Sequence, residues 1–134
     1  MRNNPILLVE DEEHDVIFMQ MALQSAKVRN PLAVAYDGHQ ALCYLEGQGE
    51  FANRRRHPLP RLVLLDLRLP RLPGLDVLKW IREQPHFRQL PVIVLSTSNQ
   101  DSDIEQAYRF GANAYIVKPA YPELLVIVKL IKTY

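Results

Sequence analysis

Five times along the chain a short aliphatic run gives way to a helical pattern, and that alternation is the strongest constraint on what the chain can fold into. Ile6–Val9, Leu32–Ala35, Leu62–Leu65, Val92–Leu95 and Tyr115–Val117 are compact apolar runs, the pattern of strands covered on both faces. After the first run, Val16, Met19, Leu23 and Ala26 recur at helical spacing. Asp37-Gly38 signals a turn closing the second run, and Ala41–Leu45 makes a short second helix. Leu75–Arg82 reads as a third helix, Ile104–Phe110 as a fourth that stops at Gly111, and Glu123 to the end as a fifth. Strands separated by helices form a parallel sheet, so the predicted class is α/β with (βα) repeated five times. Right-handed crossovers then put helices on both faces and all strand C-termini along one edge. Open sheets of this kind carry their sites outside that edge.

Composition narrows the setting. A chain of 134 residues has the size of one domain, and 48% apolar residues suffice for a core. Sixteen basic against fifteen acidic residues leave a net charge of +1, which argues against a dedicated nucleic-acid binder. No apolar run exceeds the five residues of Leu124–Val128, far short of the ~20 of a membrane span. The N-terminus lacks a signal-peptide core, and Cys43, the sole cysteine, allows no intrachain disulfide, so a reducing cytoplasm is the expected home. Cys43 reads as a small apolar residue, and the four histidines show no zinc spacing.

The residues that follow the strands carry the chemistry. Glu10 and Asp11 follow the first, Asp66 the third, Ser96 the fourth and Lys118 the fifth. Taken singly, each has a plain structural reading as a helix-dipole acid, a loop cap or a turn residue. Together, three carboxylates on one edge would repel one another unless a cation sat among them. A hard divalent ion such as Mg2+ suits an oxygen-only site with few protein ligands. With an ammonium and a hydroxyl beside it, one of those carboxylates can bear a phosphoryl group.

The blocks ILLVEDE, LVLLDLRLPRLPG, PVIVLSTS and GANAYIVKP, in this order across the chain, resemble the receiver domain of two-component response regulators. The resemblance implies a flavodoxin-like fold with strand order 2-1-3-4-5, and Asp66 as acceptor of a phosphoryl group from a histidine kinase. It implies Mg2+ held by Glu10, Asp11, Asp66 and the backbone carbonyl of Arg68, with Ser96 and Lys118 on the phosphoryl oxygens. Tyr115 would be the aromatic that turns inward when the Ser96 hydroxyl moves, and Lys118-Pro119 a cis peptide. The long segment between the second helix and third strand is similar to that of single-domain receivers partnering phytochrome-type kinases. Residues 1–134 are therefore expected to form one receiver with no output domain, catalysing only its own phosphorylation and dephosphorylation.

Four positions depart from the commonest receiver pattern: Glu10 for Asp, Ser96 for Thr, Pro73 where Asp would cap the third helix, and Arg68 for a small polar residue. The Arg68 guanidinium either pairs with a carboxylate in the metal-free state or points to solvent. In the last helix Leu124, Ile127, Val128 and Ile131 make a core stripe, leaving Leu125, Val126 and Leu130 with Tyr121 and Tyr134 at the ends. That surplus predicts a homodimer through the fourth helix, fifth strand and fifth helix. Arg54-Arg55-Arg56, in the segment Glu46–Pro60, suggests a solvated loop or a kinase contact rather than nucleic acid. The alternative function is a pseudo-receiver, a scaffold independent of phosphorylation. A flavodoxin-like cofactor protein is disfavoured because EDEE after the first strand would repel a cofactor phosphate. A phosphatase with an aspartate nucleophile is disfavoured because its Asp-x-Asp is broken as Asp66-Leu67-Arg68.

Overall fold

Strand β1 (Ile6–Val9) lies between β2 (Leu32–Ala35) and β3 (Leu62–Leu65), followed by β4 (Val92–Ser96) and β5 (Ala114–Val117), giving an all-parallel sheet in the order 2-1-3-4-5. The α/β class is the one the strand–helix alternation predicts, and the strand order is the one the resemblance implies. A computed structural model describes residues 4–132; Tyr134 and the side chain of Tyr121 lie outside the described residues. The helices are α1 (Glu13–Ser25), α2 (Gly38–Glu46), α3 (Gly74–Glu83), α4 (Asp101–Arg109) and α5 (Tyr121–Ile131).

The strand pleat sorts the core into two layers. Leu7, Val9, Val63, Leu65, Val92 and Val94 face α2, α3 and α4, where they meet Tyr44, Leu45, Val77, Leu78 and Ile81. Their neighbours Ile6, Leu8, Leu62, Leu64, Ile93 and Leu95 face Val16, Met19 and Leu23 of α1 and Leu124, Val128 and Ile131 of α5. Covered on both sides, the strands need no polar alternation, which is why they read as unbroken apolar runs. Registration is tight at the functional end: Val9 stands opposite both Ala35 and Leu65.

Helix starts differ from the sequence reading. Asp37 does not merely close a turn; its Oδ1 accepts from the Gln40 amide at 2.7 Å while Gln40 Oε1 accepts from the Tyr36 amide at 2.7 Å. This reciprocal cap starts α2 at Gly38, three residues before Ala41. At α3, Pro73 supplies no side-chain cap, as its replacement of aspartate implied.

Two of the arginines are structural. Arg54 donates to the carbonyls of Tyr44 and Leu45, both at 2.8 Å, and of His57 at 3.2 Å, so it closes the C-terminus of α2. Tyr44, Phe51 and His57 stack in a tilted and edge-on cluster beneath it, while Arg55 and Arg56 are exposed. The long segment is thus folded back on α2. Arg82 gathers the carbonyls of Phe87, Leu90 and Gly111 at 2.8–3.0 Å, and Asn113 Oδ1 at 2.9 Å, pinning the α3–β4 and α4–β5 connections together.

Candidate functional site

Backbone pairing runs one residue past the strands and fixes the site residues. The Glu10 amide donates to the Ala35 carbonyl at 2.9 Å, that of Asp66 to Val9 at 3.1 Å, and that of Lys118 to Ser96 at 2.7 Å. Glu10, Asp66 and Lys118 therefore meet above the sheet edge. One oxygen each from Glu10, Asp11 and Asp66 lies within 4.8 Å of the others. Glu10 and Asp66 are buried, at 3% and 6% exposure, while Asp11 faces solvent.

The Lys118 ammonium sits against this cluster, 2.7 Å from Glu10 Oε1 and 3.1 Å from Asp66 Oδ2. It also donates to Asp15 Oδ2 at 2.8 Å, a carboxylate on the first turn of α1 and not at a strand end. Burial raises the Glu10 carboxyl to about 7, reinforced by the Asp66 charge and opposed by Lys118 and the Glu12 amide. For Lys118, burial pulls downward, but its bonds to Asp15 and Glu10 and the Asp66 charge outweigh it and hold the ammonium above its ordinary value. Four carboxylates against one ammonium leave the site strongly negative, and the oxygen-only donor set fits a hard divalent cation.

Asp66 Oδ1 accepts from the Arg68 amide at 3.1 Å, so its two oxygens face different partners. The Arg68 side chain is exposed and enters none of the ion pairs among the described residues, so the pairing expectation gives way to the solvent-facing one. Lys118 already supplies the buried countercharge there, and a hydrated guanidinium gains little by competing with it. The Lys118–Pro119 bond is trans, against the expectation of cis. A trans X–Pro bond is favoured by about 0.5–1 kcal/mol, and Lys118 reaches its carboxylates with it.

Ser96 is fully buried, and its hydroxyl accepts from the Ser98 amide at 3.2 Å; among the described hydrogen bonds that hydroxyl reaches neither Asp66 nor Lys118. Tyr115 is half-buried, its hydroxyl donating to the Ser98 carbonyl at 2.8 Å, so the aromatic is tied to the loop that follows Ser96. On α5, Val126 and Leu130 are 62% and 64% exposed. Leu125 is half-buried, packed in part against the α1–α5 core layer.

Residues 6–129 match the response regulator receiver domain family. The chain belongs to that family. This receiver is 38% identical over 113 residues to the response regulator Rcp1 of Synechocystis sp., covering 84% of this chain and 75% of Rcp1. The phosphorylated cyanobacterial phytochrome response regulator RcpA superposes on it with a TM-score of 0.88 at 40% identity, over 97% of this chain and 91% of that one. The Mn2+-bound form of Rcp1 does so with a TM-score of 0.86 at 34% identity, over 98% and 93%. The receiver is thus a two-component signalling module related to phytochrome response regulators. Among its described residues no helix is long and apolar enough to cross a membrane.

Proposed function

We propose that this receiver takes a phosphoryl group onto Asp66 from the phosphohistidine of a phytochrome-type histidine kinase, in the cytoplasm. The observation that carries the reading is the position of Asp66, buried between an ammonium at 3.1 Å and two further carboxylates that share a cation-sized space with it. In the transfer, the P–N bond to the histidine breaks, the imidazole nitrogen keeps its electron pair, and a P–O bond forms to an Asp66 oxygen. Hydrolysis reverses the gain: water attacks phosphorus and releases inorganic phosphate, restoring the carboxylate.

Glu10, Asp11, Asp66 and the Arg68 carbonyl would hold Mg2+, which when bound neutralises charge on the phosphoryl oxygens. Lys118 would hold one phosphoryl oxygen and the Ser96 hydroxyl, released from the Ser98 amide, another. Because Tyr115 is bonded to the Ser98 carbonyl, movement of the Ser96 loop would carry to the α4–β5 surface. Its output would pass through protein–protein contacts on that surface.

Incubation with acetyl phosphate, followed by intact-mass spectrometry, tests the reading. The parent protein should gain one phosphoryl group only with Mg2+, and Asp66→Asn none. No gain under conditions that label another receiver would favour the phosphorylation-independent scaffold. The exposed Val126 and Leu130 of α5, with Tyr108 on α4 and Val117 on β5, support a homodimer through the α4–β5–α5 face. Sedimentation at micromolar concentration should show a dimer that Val126→Glu converts to monomer; a parent that stays monomeric with and without phosphorylation excludes it.

A further inference from the structure

Asp15 has no place in the acidic strand-end cluster, yet it makes one of the shortest polar contacts at the site, 2.8 Å to Lys118 Nζ. A lysine ammonium has three N–H donors, and here Glu10, Asp15 and Asp66 take one each. Two of those partners, Glu10 and Asp66, belong to the oxygen cluster that suits a cation. Asp15 is the partner outside it. A cation drawing on the oxygens of Glu10 and Asp66 weakens their hold on the ammonium and leaves Asp15 as its remaining anchor.

The geometry makes that anchor effective. Asp15 lies in the first turn of α1, whose side chains lean back toward the helix N-terminus and so toward the sheet edge. Asp15, Phe18, Lys118 and Pro119 border one cavity of about 40 Å3, room for roughly one water, between α1 and the start of α5. Without Asp15 the flexible lysine arm has that space and the solvent beyond it to enter, away from Asp66.

We propose that Asp15 is a positioning residue: it holds the Lys118 ammonium beside Asp66 once the cation has taken the other carboxylates, and so sets the rate of phosphoryl transfer. This rests on the reading of Asp66 as acceptor. Asparagine at this position keeps the acceptor oxygen and removes the charge; alanine removes both. Both substitutions lose the same first-turn charge of α1, so comparing them cancels that effect.

At saturating Mg2+ and acetyl phosphate, Asp15→Ala should be labelled about tenfold more slowly than the parent, equivalent to about 1.4 kcal/mol of barrier, and Asp15→Asn within about twofold of it. A parent-like rate for Asp15→Ala, or an Asp15→Asn as slow as Asp15→Ala, overturns the proposal. A second readout does not depend on phosphorylation: 15N relaxation of the lysine ammonium groups in the protein saturated with Mg2+, where Glu10 and Asp66 no longer hold Lys118. Lys118 Nζ should be rigid in the parent and in Asp15→Asn, and as mobile as the exposed Lys27 and Lys129 in Asp15→Ala. An unchanged Lys118 signal in Asp15→Ala overturns the anchor directly. Failure of all forms to label, with the relaxation pattern as expected, would instead refute Asp66 as acceptor and with it the role in transfer.

Discussion

Lys118→Met is expected to destabilise the metal-free protein by about 3 kcal/mol at about pH 8, the low end of the range for breaking a buried charge pair from one side. Methionine keeps the aliphatic stem and removes the ammonium, which touches Glu10, Asp15 and Asp66. Glu10 and Asp66 have side chains only 4% and 8% exposed, so water cannot replace the lost countercharge. The loss depends on pH with a definite sign. Glu10 holds its proton to about 7 when folded, above the ordinary carboxylate range, so the folded chain binds more protons than the unfolded one in that window and stability falls as pH rises through it. Lys118 pulls the Glu10 value down; without it the proton is retained to higher pH, and a neutral Glu10 no longer repels Asp66. The deficit of Lys118→Met should therefore be smaller at about pH 6 than at about pH 8, and Mg2+ should restore more stability to the variant than to the parent. Urea titrations at both pH values decide the matter. A variant within about 0.5 kcal/mol of the parent throughout would class the contact with exposed ion pairs and contradict the buried-charge account.

The same contacts show where sequence reading reaches and where it stops. Strands β1 and β3, buried on both faces, and the half-buried edge strand β2 are legible to the residue because each is a bare apolar run. Their last residues then point to Glu10, Asp11 and Asp66, and those to β4 and β5 point to Ser96 and Lys118, by topology alone. Asp15 is not reachable that way. It sits on a helix, not at a strand end, and its partner Lys118 is 103 residues distant, joined to it only by the packing of α1 beside α5. The α2 start was hidden for a different reason: Asp37-Gly38 is a turn signal until Gln40 is recognised as its reciprocal cap. Arg54-Arg55-Arg56 reads as one basic triplet, but only Arg54 finds the α2 carbonyls, because burial distinguishes neighbours that sequence treats alike.

Gly74→Ala is expected to be as damaging as the loss of Lys118, through sterics in place of charge. Gly74 opens α3, and its amide donates to the Leu67 carbonyl at 3.0 Å, so the helix starts directly against the backbone that leaves β3. A Cβ there would lie 2.2 Å from the Asp66 carbonyl oxygen and 2.7 Å from Leu67 Cα. Both are main-chain atoms held in the sheet edge, so no side chain can swing aside. Either α3 lifts, loosening Val77, Leu78 and Ile81, which are fully buried, or Asp66 is displaced from its cluster. Overpacking against rigid neighbours costs up to about 3 kcal/mol, and this site has no soft partner to absorb it. Gly49→Ala is the matching control: its φ of +58° is left-handed, but nothing lies within 4 Å of the added Cβ. That substitution should cost about 1 kcal/mol, the strain of the left-handed backbone alone. In urea titrations the two variants should differ by roughly 2 kcal/mol, and Gly74→Ala should also bind Mg2+ more weakly because the Asp66 carboxylate has moved. Equal, small losses for both glycines would mean that α3 is not seated against Asp66, and that the carboxylate owes its position to the β3 ladder alone.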